Sequence, residues 1–356
     1  MGARADAAAA GGATDGYPDE GGEPGSRRVP IRTPAPDQLR LLTKVARMYH
    51  ERGLRQPQIA AQLHISQPRV SRLLKQAVEM GIVRTMVVPP TGVYTDLEEA
   101  IERRYGMADV VVVDAAGDGD EDVIPALGAA AAVYLETTLT GGDRIGISSW
   151  SATLLATVEA MRPRPIRVAE EVVQVIGGVG DAMAQVQATR LTGRLAELTG
   201  ARPLFLPAPG LVGSSSARAT LASDRLVAEV MAAWERLTTV LLGVGSLEPS
   251  PLRPDSGNAI AQEEQERLRR ANAVGDICLR FFDEWGEPVP STLDERVLGI
   301  AAAQLRQVSR RVAVAGGRRK YAAIRAALRG GWLNVLITDL GVARRLAEEQ
   351  PIPRPR

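Results

Sequence analysis

Between residues 67 and 75 one short stretch presents Gln67, Arg69, Ser71, Arg72 and Lys75 on what would be the outward side of a helix. Arginine and glutamine can bond in two-pronged fashion to purine edges in a major groove, while serine and lysine suit phosphates and bases alike. That is the chemistry of reading double-stranded DNA. Local charge agrees. From Asp37 to Val88 the basic residues are Arg40, Lys44, Arg47, Arg52, Arg55, Arg69, Arg72, Lys75 and Arg84, against only Asp37, Glu51 and Glu79. The whole chain carries a formal net charge of only +1, so this excess is local, where phosphates need it. The groups most used for proton transfer are scarce: the two histidines, His50 and His64, both lie in this basic stretch. The remainder of the chain has none.

The elements that must position the basic side chains are legible. Leu39, Leu42, Val45, Ala46 and Tyr49 recur at helical spacing, and Gly53 stops that helix. A second short helix fits Gln56 to Leu63 and a third fits Gln67 to Met80. Ile59, Leu63, Ile65, Val70 and Leu73 fall where two helices crossing at a tight turn need a shared core, with Ala60 small at the closest approach. Ser66 is placed to cap the third helix, and Pro68 is tolerated in its first turn. His64 occupies a turn position where such motifs often carry glycine. Ile82 to Val88 reads as a short extended arm. The pattern is a helix-turn-helix domain over residues 36–90.

Residues 1–35 are rich in Gly, Ala, Pro and Asp without apolar period, and are expected to be disordered, as is the stretch from Pro351 to Arg356. Over residues 91–350 the texture changes. Val110 to Asp114, Arg144 to Ser148, Val172 to Ile176, Val240 to Val244, Val312 to Ala315 and Val335 to Thr338 read as strands buried on both faces. Amphipathic stretches such as Ile124 to Leu139, Gln187 to Leu198 and Leu293 to Leu305 lie between them. This alternation predicts an α/β domain with a largely parallel, Rossmann-like sheet. Three strand ends carry glycines or hydroxyls: Ile145-Gly-Ile-Ser-Ser, Ile176-Gly-Gly-Val-Gly and Leu242-Gly-Val-Gly-Ser. In open α/β sheets ligands bind beyond the carboxyl ends of the strands.

The series of motifs resembles the SorC/DeoR-type sugar-binding transcriptional regulators. The resemblance starts at the helix-turn-helix and runs through Gly141-Gly-Asp-Arg-Ile-Gly-Ile-Ser-Ser-Trp-Ser-Ala-Thr-Leu, Gly177-Gly-Val-Gly, Phe205-Leu-Pro-Ala-Pro-Gly and Gly243-Val-Gly-Ser-Leu-Glu-Pro. It continues in Ala273-Val-Gly-Asp-Ile-Cys, Val314-Ala-Gly-Gly and Ala327-Leu-Arg-Gly-Gly-Trp-Leu-Asn-Val-Leu-Ile-Thr-Asp. It implies an effector domain similar in fold to sugar-phosphate isomerases, a homo-oligomer (dimer or tetramer), and a grip on operator DNA that changes when a small sugar-type effector binds. By motif matching, Ser148, Ser149, Ser151 and Thr153 hold a phosphate or hydroxyls, with Gly177, Gly178 and Gly245 in the site. The resemblance also implies that Asp276 accepts hydrogen bonds from sugar hydroxyls and that Lys320 meets an anionic group. Departures from the family pattern, Ser151 after Trp150, Asp181-Ala after the glycines, and Arg236-Leu237 before a strand, leave open whether the effector is phosphorylated.

Plainer readings stand beside these. Gly177, Gly178 and Gly180 serve equally as turn glycines, Trp150 as a packing residue, Asp276 as a cap or ion-pair member, and Lys320 as part of a basic turn. The Glu263 to Arg270 helix reads as a solvated face, and Cys278 as a small core residue in a helical stretch. One cysteine forms no intramolecular disulfide, and no apolar run is long enough to span a bilayer. No secretory signal pattern is read, so the expected place is the cytoplasm. No metal, cofactor or catalytic residue is expected. The alternatives are an isomerase-like enzyme with an accessory helical domain, which would need Lys320 or Asp276 as its base, and an adaptor whose helices bind protein.

Overall fold

The computed structural model describes residues 36–83, 90, 92–148, 151–164, 166–178, 182–247 and 260–349. The expectations for residues 1–35 and 351–356, and most of the arm up to Val88, lie outside them. Two compact units divide between Val88 and Pro89.

The first unit contains α1 (Pro36–His50), α2 (Gln56–Leu63) and α3 (Gln67–Glu79). Leu42, Val45, Ala46 and Met48 of α1 pack with Ile59, Ala60, Val70, Leu73, Leu74 and Ala77 in a closed core. Met48 rather than Tyr49 completes the α1 face, and Tyr49 stays 39% exposed. The Arg55 N–H donates to Gln58 Oε1 at 2.9 Å at the start of α2. His64 ends α2 in the left-handed region (φ 50°), the conformation that makes glycine common there. Ser66 takes the N-cap position of α3, yet its hydroxyl makes no cap bond. The reason is local: Pro68 has no N–H to offer, and the next donor, Arg69 N–H, already bonds the Ser66 carbonyl at 3.0 Å.

The second unit starts with α4 (Thr95–Tyr105), β1 (Asp109–Val113), α5 (Asp120–Thr138), β2 (Asp143–Ile147), α6 (Ala152–Ala160), β3 (Ala169–Gln174), α7 (Ala182–Thr199) and β4 (Arg202–Leu204). Then come α8 (Ser215–Ser223), α9 (Arg225–Ala233), β5 (Thr239–Leu242), β6 (Gly245–Ser246), α10 (Gln262–Arg270), β7 (Gly275–Ile277) and β8 (Arg280–Phe282). It closes with α11 (Ala302–Gln307), β9 (Arg310–Val314), α12 (Tyr321–Arg329), β10 (Val335–Asp339) and α13 (Leu340–Glu348). Seven strands form one sheet in the order β1-β10-β9-β5-β2-β3-β4. Every pairing in it is parallel. One sheet face is filled by α5, α6 and α7 through Leu127, Leu135, Leu154 and Leu195. The opposite face carries α9, α12 and α13 through Val227, Val230, Ile324 and Val342. β6, β7 and β8 make a small antiparallel sheet beside it. The molecule is thus α/β, with a helix-turn-helix unit and a doubly covered parallel sheet.

Two helical expectations fail. Leu293 to Leu305 is not one helix: residues 293–296 turn, Val297 and Gly299 make isolated bridges to Leu211 and Ile176, and only α11 is helical. The buried guanidinium of Arg280 holds this segment extended by donating to the carbonyls of Ile300 and Gly299, each at 3.2 Å, and to Asp294 at 3.0 Å. Cys278 is buried as expected, but in the two-residue turn between β7 and β8. The α10 helix is also not wholly solvated, because Glu264 turns inward and accepts from Arg296 Nη1 at 2.6 Å.

Candidate functional site

On α3 the side chains of Gln67, Arg69, Ser71, Arg72 and Lys75 are all exposed, while Val70, Leu73 and Leu74 face the core. Their internal ties are weak. Arg72 Nε reaches the Pro68 carbonyl at 3.4 Å, and Lys75 lies 3.8 Å from Glu79 with both ends solvated. A fixed helix therefore presents an uncommitted row of donors, as groove reading requires.

In the second unit, strand order fixes the ligand end. From β2 the chain steps outward to β3 and β4, whereas β5 and the later strands β9 and β10 lie on the other side. The crevice between the carboxyl ends of β2 and β5 is therefore a topological switch point, where open α/β sheets bind ligands. Ser148 ends β2 there. It is buried, and its Oγ accepts the Gly243 N–H at 3.1 Å, tying the two strand ends together. Ser151 caps α6, its Oγ accepting Leu154 N–H at 3.3 Å and lying 2.7 Å from Thr153 Oγ1. Thr153 Oγ1 donates to the Val314 carbonyl at 2.6 Å, which anchors α6 on β9. The Ser148 and Thr153 hydroxyls thus build the site, leaving the amino end of α6 as its donor face. Ser149 and Trp150 lie outside the described residues.

Gly177 and Gly178 sit at close packing contacts. Gly177 N–H donates to the Leu298 carbonyl at 3.1 Å, and Gly178 N–H to Gln185 Oε1. A Cβ on Gly177 would meet the backbone of residues 208–210, and one on Gly178 would meet Gln185. Their donors are committed, so neither glycine offers its N–H to a ligand. Gly245 is needed for a different reason: a Cβ there would collide with Asp276 Oδ1.

Asp276 and Lys320 come together. Gly245 pairs with Asp276 across β6 and β7, and the Arg318–Lys320 turn packs on β6. Asp276 Oδ2 accepts Leu279 N–H at 3.0 Å. Burial pushes its carboxyl up to about 6, with the Leu279 N–H and the Lys320 charge pulling the other way. Burial also lowers Lys320 below the ordinary lysine value, opposed by the Asp120 and Asp276 carboxylates and reinforced by Arg319. Among the described residues the Lys320 ammonium has neither a hydrogen bond nor an ion pair. An unpaired ammonium beside a carboxyl of raised pKa suits a ligand that brings an anion for one and hydroxyls for the other. Sequence reasoning missed three supports of this turn. Asp339 Oδ2 accepts Gly317 N–H at 2.7 Å, Asp120 accepts from Arg319 Nη2 at 2.9 Å, and Gly317 takes a φ of 88°. The Gly-Gly pair before three basic residues was the available signal.

A shallow cavity of about 530 Å³ lies at the opposite end of the sheet, lined by Arg167, Glu170, Glu171, Gly200, Ala201 and Arg202. Its charges pair internally, Glu171 with Arg202 and Arg236, and Glu170 with Arg144. Among the described residues no group of His, Cys, Asp and Glu side chains could hold a metal ion, and no helix is long and apolar enough to cross a membrane.

An exposed reading helix in one unit and a histidine-free strand-end site in the other define a ligand-responsive DNA-binding regulator. The Sugar-bind family of sugar-binding domains matches residues 90–348, and a helix-turn-helix domain family matches residues 38–88. The chain is 32% identical over 313 residues to the deoxyribonucleoside regulator of Bacillus subtilis, covering 88% of this chain and 99% of that one. It is 31% identical to the sorbitol operon regulator of Klebsiella pneumoniae, covering 87% and 98%. The crystal structure of that full-length Klebsiella regulator superposes with a TM-score of 0.67 at 28% identity, over 88% of this chain and all of the other. The chain belongs to the SorC/DeoR-type sugar-binding transcriptional regulators. It is a DNA-binding transcription regulator governed by a sugar-type effector, and its relatives are regulators rather than isomerase-like enzymes.

Proposed function

We propose that α3 reads a double-stranded operator through Gln67, Arg69, Ser71, Arg72 and Lys75, and that a small sugar-type effector occupies the switch point between β2 and β5. The observation that carries the effector reading is that Asp276, on the strand paired with β6, and Lys320, in the turn packed on β6, are brought together while the Lys320 ammonium has no ion pair among the described residues. Asp276 accepts the effector's hydroxyls. Lys320 and the α6 N–H groups meet an anionic group, which favours a phosphorylated or carboxylated sugar or polyol over a neutral one. The regulated genes are a carbohydrate catabolic operon, and the protein works in the cytoplasm as a homo-oligomer, a dimer or a tetramer. Paired units place two α3 helices in successive major grooves, roughly 34–36 Å apart. The effector shifts DNA affinity only through its differential affinity for two arrangements of the protein.

Fluorescence anisotropy on DNA from upstream of the gene, titrated first with salt and then with pooled sugar phosphates, sugar acids and neutral polyols, tests this. Salt-steep binding altered by an anionic pool supports the reading. A response to neutral polyols alone removes the anionic group. No preference over random duplex removes the operator assignment for that DNA.

A further inference from the structure

The turn that presents Lys320 is connected by a continuous set of polar contacts to the first helix of its unit. Asp339 closes β10 in register with Val113 of β1 and is buried. Its oxygens serve two elements: Oδ2 accepts Gly317 N–H at 2.7 Å, and Oδ1 accepts Val342 N–H at 3.0 Å, capping α13. A Cβ on Gly316 would collide with the same carboxylate, so the turn rests directly on it. α12 starts directly after Lys320, and the Tyr321 hydroxyl at its head donates to the Arg345 carbonyl of α13 at 3.5 Å.

Their far ends meet at Glu349. Its carboxylate accepts from Arg325 Nη1 at 2.7 Å and Arg329 Nη2 at 3.3 Å, both on α12, and from the Tyr105 hydroxyl at 3.1 Å. Arg104 donates to the carbonyls of Leu346, at 3.0 Å, and Glu349. Arg104 and Tyr105 are the last residues but one and the last of α4. Only Ile101 of α4 is fully buried. Leu97 and Tyr105 pack against the core partly buried, and Glu98 and Glu102 accept the edge N–H groups of Val112 and Val110 on β1, at 2.9 and 3.0 Å. Four residues along a helix rise about 6 Å, close to the two-residue step of a strand, so two carboxylates stand in for a neighbouring strand. The hold on α4 thus combines one fully buried side chain with part-buried polar contacts, and the Glu349 carboxylate that joins α12 to α4 is itself mostly buried, so losing it leaves its partners unpaired.

We propose that α12 and α13 couple the effector turn to α4, with Glu349 as the junction. Filling the site beside Lys320 then changes how firmly α4 is held. The chain reaches the DNA-binding unit through the residues before α4, so this hold sets the tether of the reading helix. The inference rests on the assignment of the Gly317–Lys320 turn to the effector, and gains force only if both ends bias the same element.

Hydrogen exchange on the full-length protein tests it with and without a ligand. Gly317→Ala forces an alanine into a φ of 88° and so perturbs the turn. It should raise exchange of the α4 amides several-fold while leaving α7, remote from the junction, unchanged. Glu349→Gln alone should also loosen α4, and in that background Gly317→Ala should add nothing. An α4 that ignores a loosened turn, or that responds equally in both backgrounds, overturns the proposal. Should Gly317→Ala loosen α7 too, Asp339→Asn replaces it with the same readings expected. Inorganic phosphate, as a bare anion probe, separates the two layers of argument. Protection of residues 317–321 without change in α4 overturns the coupling and spares the effector site. No protection at the turn counts against the anion site, and the substitutions then decide the coupling alone.

Discussion

Asp276 gives the effector site a pH signature. With its carboxyl raised to about 6, chiefly by burial, the group is largely protonated near pH 5 and charged at pH 7. Hydroxyl donors favour the charged form, so effector affinity should fall as pH drops through about 6 and level off above pH 7. Calorimetric titration across pH 5–8 checks this, and Asp276→Asn should flatten the profile. Stability has the opposite sense. A raised carboxyl contributes stability that is fully present below its unfolded value and lost as pH rises through about 6. Ligand-free Asp276→Asn should therefore gain in Tm over the parent at pH 7 and not at pH 4. Lys320→Ala should abolish the effector response and spare DNA binding; a retained response removes Lys320 from the site. Both residues were legible from the motif series. What aims Asp276 was not: Cys278 and Leu279 form a two-residue hairpin turn with φ of 53° and 58°, where Asn-Gly is usual. Each such residue costs roughly 1–2 kcal/mol, and neither residue type announces a turn.

At the scale of elements, α3 can be tested apart from folding. Arg72 is exposed and touches only the Pro68 carbonyl, so Arg72→Ala should leave Tm unchanged while weakening operator binding by roughly 1–3 kcal/mol. Equal binding by anisotropy would remove Arg72 from the interface. Ile59, with no exposed surface, sits in the core that holds α2 and α3 together. Ile59→Ala should cost about 2–5 kcal/mol in the first unit, exposing α1–α3 to hydrogen exchange while the large sheet keeps its protection. Six of the seven parallel strands were legible because their runs are rich in valine and isoleucine, β5 and β10 being buried on both faces and the edge strand β1 fully on one. The seventh, β4, is three residues long with Pro203 inside it, which only an edge position tolerates. The run from Leu293 to Leu305 has helical spacing, but Arg280 outbids that periodicity by taking two of its backbone carbonyls. No local pattern announces a partner that lies more than ten residues away.

For the whole molecule, near-neutrality makes the DNA affinity a question of where charge sits. The formal net charge of +1 supplies no general attraction, so association depends on the basic face of the first unit. Each phosphate neutralised there contributes about 0.9 to the slope of log affinity against log salt. Lys75→Ala should therefore lower that slope by about one for each reading helix engaged, weakening binding alike on operator and random duplex. Arg72→Ala should instead narrow the gap between the two DNAs. The salt slope also reports how the effector acts. If occupancy at Lys320 withdraws a reading helix from the groove, affinity and slope fall together, since phosphate contacts are lost. If it only misaligns the base contacts, operator preference falls and the slope stays. Salt titrations with and without the active pool distinguish these, and the coupling through Glu349 predicts that affinity and slope change together, because a change in how α4 is held acts on the whole helix rather than on single side chains. A slope that holds constant while affinity falls would place the effector's influence on base contacts and away from the tether.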